Sequence, residues 1–246
     1  MRRMEVEFGG QVRFTYVMGG LAREFGNPLE LVRAWLDAGE RGGMPVDPRL
    51  WLDGPPASSY PACMAVKAAA EQGDPARYLR RLREGFACAR RKLDTTEALV
   101  EEARAARLDV ERFRIDLASH AAVEAFGADV DRAGEAAARD PGSEGERVRL
   151  PSIEFAGVDG GLRGVYGWQE PDAYRQAVIE SGGEPAGETP DDVEGALRRF
   201  GSMSTTEVAV ACSLSGPRAP ATLWALAAEW RVRAEVRGSG VLWSAV

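Results

Sequence analysis

Hydrophobic positions in the first twenty residues change from a helical to an alternating pattern. Residues 1–8 have the pattern of the end of a helix, which Gly9 and Gly10 close. In residues 11–20 every second side chain is apolar, and β-branched and aromatic residues are common, so the segment is predicted to be a strand. The chain is therefore expected to open with a helix end followed by a strand.

The next 120 residues predict helices separated by loops. Apolar residues recur at helical spacing in residues 28–40, whereas glycine and proline crowd residues 42–57 and predict a loop. Capping residues mark further helix starts, and the last of these helices ends before the polar loop at 140–147. The start signals are Ser58 or Ser59, Asp74-Pro75, the capping box Asp94-Thr95-Thr96-Glu97, Asp109, and Ser119 beside His120.

The period of the pattern changes to two after residue 147. Residues 148–157 and 162–167 predict a hairpin with glycine in its loop, and a helix over 171–182 follows. The first of these strands contains Pro151 in its middle, where a proline cannot donate to a sheet ladder. Pro151 is therefore expected at the edge or the start of this hairpin.

The C-terminal segment, residues 190–246, is predicted to be a unit of its own. The stretch at 183–192, rich in proline, glycine and acidic residues, is the predicted domain boundary. Three helices and a β-ribbon follow, which is the outline of a winged-helix-like module. The predicted helices cover 191–200, 204–212 and 218–230, and the strands cover 231–237 and 241–245.

Composition and charge limit the function classes. The chain has 246 residues, 45% hydrophobic and 28% charged, with a net charge of −7, which is typical of a soluble globular protein. No apolar run approaches the roughly 18 residues that span a bilayer, so no membrane contact is expected. Nucleic acid is an unfavoured partner, because the stretch APATLWALAAEW (219–230) of the predicted third helix of the C-terminal module carries no arginine or lysine.

Cysteine and histidine are too few for most catalytic or metal sites. The three cysteines, Cys63, Cys88 and Cys212, are odd in number and far apart in sequence, which favours a reducing, cytoplasmic compartment. Each is interpreted as a packing residue, and the single histidine, His120, as a capping or surface residue. No metal and no cofactor are expected, and Gly19-Gly20 lacks the pattern of a phosphate loop.

Four segments resemble the DsbA family, and most closely its cytoplasmic FrnE-like branch. They are VRFTYVMGGL (12–21), SSYPACMAVKAAAEQG (58–73), YLRRLREGF (78–86) and LPSIEF (150–155). The resemblance covers roughly residues 1–183 and implies an α/β, thioredoxin-like fold with a large helical insertion. The winged-helix-like module predicted from the pattern lies beyond it. The expected domains are 1–27 with 146–183 (thioredoxin-like, N-terminally incomplete), 28–145 (helical insertion) and 190–246 (winged-helix-like).

The resemblance also implies the site. In the family a cis-proline, here Pro151, faces a C-x-x-C dithiol, and Leu150, Pro151 and Ser152 are the expected substrate-binding residues. A helix N-terminus and a second thiol activate such a dithiol. This sequence contains no C-x-x-C, so no catalytic residue is assigned. Either the start codon was assigned too late or the protein is a remnant without redox chemistry; the first is the favoured expectation.

Three functions remain open. The first is a DsbA-like thiol–disulfide oxidoreductase that acts on protein or small-thiol substrates and whose dithiol is missing here. The second is a non-catalytic adaptor of the ClpXP-adaptor type, which needs no dithiol. The third is a relative of the kappa-class glutathione transferases and isomerases, which would bind glutathione. The C-terminal module is expected to pack on the body or to pair two subunits as a homodimer.

Overall fold

The computed structural model describes residues 1–143, 145, 147–186 and 192–246. They fall into two compact units, Met1–Gly19 with Asp129–Asp192 and Gly20–Ala128 with Val193–Val246. The helices are α1 (Arg2–Phe8), α2 (Pro28–Gly42), α3 (Tyr60–Ala70), α4 (Ala76–Ala87), α5 (Thr96–Ala105), α6 (Val110–Leu117), α7 (His120–Arg139), α8 (Pro171–Glu180), α9 (Val193–Phe200), α10 (Thr205–Ala211) and α11 (Arg218–Ala228). The strands are β1 (Ile153–Ala156), β2 (Leu162–Val165), β3 (Met203–Ser204), β4 (Val232–Arg237) and β5 (Gly240–Ala245).

The first unit is built around the β1–β2 hairpin. The two strands are antiparallel, and Ile153 is opposite Val165. Phe8 of α1, Phe155 of β1 and Val178 of α8 form its buried apolar core. Burial of these side chains holds helix α1, which precedes the hairpin in the sequence, and helix α8, which follows it, against the hairpin.

The predicted strand at 11–20 is wrong, because among the described residues this segment joins neither sheet. Its side chains do alternate, since Val12 and Phe14 pack against the core while Arg13 is exposed. The Met18 N–H, however, donates to the buried Asp129 carboxylate at 2.9 Å rather than to a neighbouring strand. Alternation fixed which side chains face inward, but a strand also needs a ladder partner.

The first hairpin strand begins at Ile153, five residues later than predicted. Pro151 has no N–H to give to a ladder, so pairing starts only beyond it. The predicted loop at 140–147 and the predicted boundary at 183–192 fall partly on residues 144, 146 and 187–191, which lie outside the described residues.

Capping side chains delimit the helices of the second unit. Asn27, Thr95 and Asp109 each accept a backbone N–H at the start of α2, α5 and α6. The loop after α2 contains a 3-10 turn, Pro48–Trp51, and the Trp51 side chain is buried. It packs edge-on against neighbouring rings in an aromatic cluster of Phe25, Trp35, Trp51 and Phe86.

The C-terminal part of the second unit contains three helices and a small antiparallel sheet. The strand order is β3–β5–β4, and Met203 of β3 pairs with Trp243 of β5. Leu197, Leu223 and both of these residues are buried in one apolar cluster. The sequence did not predict strand β3, because two residues are too few to show the alternation of apolar and polar side chains that is typical of a strand.

No helix in the described part of the chain is both long enough and apolar enough to cross a membrane.

Candidate functional site

The segment Leu150–Ser152 leads into β1 and exposes its apolar side chains. The Leu150–Pro151 peptide bond is cis, the isomer that the resemblance implied. Leu150 is 64% exposed, Pro151 is exposed and Ser152 is half-buried. An exposed leucine and proline beside a short two-stranded sheet form a small apolar surface.

An ion pair between an exposed arginine and a buried carboxylate fixes the chain just before this segment. Arg149 bonds the Asp140 carboxylate with Nη2 at 2.6 Å and with Nε at 2.9 Å. The same carboxylate accepts the Gly142 N–H at 3.0 Å, and Asp140 is only 4% exposed. Hydrogen bonds from Arg149 lower the pKa of Asp140 to about 2, although burial opposes the shift. Asp140 is therefore a charged anchor at neutral pH.

Two further contacts fix the chain after the segment. The Ser152 hydroxyl donates to the Arg149 carbonyl and accepts the Gly167 N–H at 3.2 Å. Glu154 accepts bonds from Arg139 at 2.7 and 3.0 Å and from the Tyr166 hydroxyl at 2.6 Å. The Arg139 bonds are the main reason why the pKa of Glu154 is lowered. The Ser152 hydroxyl is thus used internally, whereas the side chains of Leu150 and Pro151 face solvent.

Sequence reasoning did not find Trp168, which extends this surface. The Ser152–Gly167 hydrogen bond brings the end of β2 beside the Leu150–Ser152 segment. Trp168 follows directly and is 46% exposed. We call Leu150, Pro151 and Trp168 the apolar rim. Only the pairing of β1 with β2 places Trp168 there, and no local motif indicates it.

The three cysteines lie on separate elements and form no disulfide. Cys63 is half-buried in the first turn of α3, and Cys212 is half-buried at the end of α10. Cys88 follows α4, is 3% exposed and donates its thiol to the Pro45 carbonyl at 3.0 Å. Burial, assisted by the Glu84 carboxylate, raises the pKa of Cys88 to about 11. A thiol held neutral in this way is a poor nucleophile.

The other sequence candidates have structural surroundings. His120 is exposed at the start of α7, where the Ser119 hydroxyl accepts the Ala122 N–H at 3.3 Å. Gly20 lies in the left-handed region at φ 61°, against the ring of Tyr60. Among the described residues, no group of three or more His, Cys, Asp and Glu side chains is arranged to hold a metal ion.

Comparison with known proteins gives three kinds of match. A family model described as "Thioredoxin" matches residues 1–139. The "ClpXP adapter protein SpxH" of Halalkalibacterium halodurans is 27% identical over 87% of this chain and 72% of its own length. The protein of the same name from Shouchella clausii is 28% identical over 99% of this chain and 81% of its own.

Among solved structures, a proposed protein disulfide isomerase from Nitrosomonas europaea superposes with a TM-score of 0.55. It is 15% identical, and the match covers 67% of this chain and 80% of that one. At this identity the likeness is one of fold: a thioredoxin-like arrangement of mixed helices and strands.

Proposed function

This chain belongs to the thioredoxin family, and on that premise we propose that it acts as a protein-binding adaptor for a ClpXP-type protease. In this proposal the apolar rim, together with Ser152, contacts an extended segment of a partner protein. Such contact requires no C-x-x-C pair, and none occurs among the 246 residues.

The state of the cysteines is the observation that carries the proposal. Exchange needs a thiolate as attacking group and a second thiol to resolve the mixed disulfide. Cys88 is buried with a raised pKa, and Cys63 and Cys212 lie on different helices. No pair has the C-x-x-C spacing. Binding, in contrast, requires an accessible surface, and the apolar rim is exposed beside residues that the Asp140–Arg149 pair and the Ser152 hydroxyl fix.

The relatives give a second, independent line of support. Both of those described above are named ClpXP adapter proteins, and one of them aligns with 99% of this chain. Protein partners are thus favoured over small thiols, glutathione among them. The odd number of unbridged cysteines fits a cytoplasmic location, which is part of the proposal.

Thiol–disulfide exchange is the second candidate. The exposed rim beside the cis Leu150–Pro151 bond is the observation that favours it, because the FrnE-like branch of the DsbA family uses this place for substrate. This candidate requires a dithiol that is not among the 246 residues of the sequence.

We also propose that residues 192–246 form a winged-helix-like module. The element order α9, β3, α10, α11, β4, β5 and the sheet order β3–β5–β4 support this assignment. The helix expected to enter a DNA groove is α11, whose exposed side chains include Trp224 and Ala225. Of the arginine, lysine, asparagine and glutamine side chains that commonly read base edges, α11 carries only Arg218, at its first position, so the module is proposed to contact protein.

The test compares the wild-type chain with a Cys63→Ser/Cys212→Ser variant as baits in an extract of the cells that produce it. An adaptor retains the same partner with both baits and in the presence of dithiothreitol. The purified partner should then be degraded faster by ClpXP when the chain is added. Loss of the partner in dithiothreitol, together with oxidation of a dithiol peptide by the wild-type chain, would establish exchange instead.

A further inference from the structure

Helix α11 presents an uncharged face to solvent. Trp224 is 56% exposed, and Ala221, Ala225 and Ala228 are also exposed. At about 100° per residue these four positions lie within roughly a third of the helix circumference. Large apolar side chains on a surface helix normally face a core, so this face has the composition of a contact surface.

Trp224 is held in place although more than half of its surface is open. Its ring packs edge-on against the buried Trp243, with centroids 4.9 Å apart and planes at 84°. Tryptophans that are fixed before binding are frequent anchors of protein interfaces, because little side-chain entropy is lost on contact. Trp224 therefore has the properties of an interface anchor rather than those of an isolated exposed residue.

Side chains of opposite charge lie at the two ends of the face. Arg218 begins α11 and Glu229 follows its last residue; both side chains are exposed, and Glu229 Oε2 also accepts from Arg231 Nη1 at 3.2 Å. Eleven residues apart, they lie about 20° from each other around the axis and about 16 Å apart along it. They therefore share one edge of the face, and Trp224 lies near the midpoint between them on the opposite edge.

This placement is self-complementary under a two-fold axis. If two copies of α11 pack antiparallel about an axis near Trp224, Arg218 of each copy meets Glu229 of the other. The two Trp224 rings then meet near the axis, and the alanines permit close approach of the helices. A two-fold contact of this kind uses the same patch on both copies and closes on itself.

We propose that the exposed face of α11 is a homodimer interface, whose occupant is the α11 of a second copy of this chain. Charge complementarity selects this occupant. A nucleic acid would meet alanine and tryptophan over most of the face, with Arg218 as its one basic side chain and the Glu229 carboxylate repelling phosphate at the other end. A partner of one charge sign would be repelled at one end of the face, whereas a second copy in antiparallel orientation matches both ends.

Analytical ultracentrifugation of the full chain tests this proposal. The wild type should form a species of twice 26.5 kDa at concentrations up to about 100 µM. Trp224→Ser and Arg218→Glu should each weaken the dimer about tenfold or more. The double variant Arg218→Glu/Glu229→Arg reverses both ends of each pair and should regain most of the wild-type affinity.

Arg233→Glu is the matched control, because it makes the same charge change at an exposed position on β4. It should leave the dimer unchanged. Circular dichroism and thermal melts identify any variant that fails to fold. If a single variant fails to fold, the dimer affinity of the double variant Arg218→Glu/Glu229→Arg, compared with that of the wild type, tests the interface. A wild type that stays monomeric throughout the range would overturn the proposal. So would equal dimerisation of Arg218→Glu and Arg233→Glu, or a double variant no tighter than Arg218→Glu.

Discussion

Arg80 and Glu207 form a bidentate ion pair across 127 residues of sequence. Nη1 lies 2.8 Å from Oε1, and Nη2 lies 2.8 Å from Oε2. Glu207 also accepts the Ser204 N–H at 2.8 Å, which completes the capping box of α10. Both charged side chains are more than three-quarters buried. One arginine thus ties α4 to the first turn of α10 within the second unit.

We expect Arg80→Met to lower the free energy of unfolding by about 3–5 kcal/mol, measured by urea denaturation. Methionine keeps the length of the side chain but leaves the Glu207 and Glu84 carboxylates without their common cation. Arg77→Met on the exposed side of α4 is the control, and it should change the value by less than about 0.5 kcal/mol. Equal losses in the two variants would mean that the ion pair contributes little.

Cys88 should resist alkylation in the folded protein. At pH 8, iodoacetamide followed by peptide mass spectrometry should label the half-buried Cys63 and Cys212 well before Cys88. The reason is that Cys88 is buried and its thiol stays protonated until about pH 11. In urea all three should react at similar rates. Rapid labelling of Cys88 in the folded chain would contradict its buried, neutral state.

The same shift makes stability depend on pH in the alkaline range. The unfolded thiol ionises near its ordinary pKa of 9.0, whereas the folded thiol does so near 11. The stabilising contribution is therefore complete below pH 9 and is lost as the pH rises to about 11. Between pH 9 and about 11, the free energy of unfolding of Cys88→Ala should therefore fall less than that of the wild type. Urea denaturation of both proteins at a series of pH values measures this difference.

Helices were predictable because their signals are local. Asp109 caps α6 and Ser204 caps α10, as expected. The capping box expected at Asp94–Glu97 is displaced by one residue, because Thr95 accepts the Ala98 N–H at the start of α5. The strand predicted at 11–20 failed because side-chain alternation says nothing about a pairing partner. Strand β3 was not predicted because its two residues, Met203 and Ser204, are too few to show alternation. They form a strand only by pairing with β5, about 40 residues later in the sequence.

The sequence indicated the exposed segment of the candidate site but not the residues that anchor and extend it. Resemblance drew attention to Leu150, Pro151 and Ser152, because a proline inside an apolar run is a local feature. The anchoring pair of Asp140 and Arg149 spans a loop, and many surface carboxylates have an arginine within ten residues without pairing to it. Trp168 enters the rim only through the β1–β2 register, and the predicted hairpin does not indicate where the residues beyond β2 lie.

The Asp140 anchor should respond to acid. Its pKa is lowered to about 2, from an ordinary 3.8, by hydrogen bonds from Arg149. The contribution is therefore present above pH 4 and is lost as the pH falls towards 2. The Gly142 amide donates to this carboxylate, so its NMR shift should titrate with a midpoint near 2. In Asp140→Asn that titration should vanish; a midpoint near 4 in the wild type would show that the ion pair is not formed.

Binding by the apolar rim should depend on Leu150 without any change in stability. Leu150 is 64% exposed, so Leu150→Ser should alter the free energy of unfolding by less than about 0.5 kcal/mol. The partner captured by the adaptor test should nevertheless bind about tenfold more weakly in calorimetry, because the variant removes an apolar contact at the rim. Val158→Ser is the control: it is 90% exposed but lies in the hairpin loop at the other end of β1. If both variants bound as the wild type does, the partner would contact another surface, and the apolar rim would lose its proposed role.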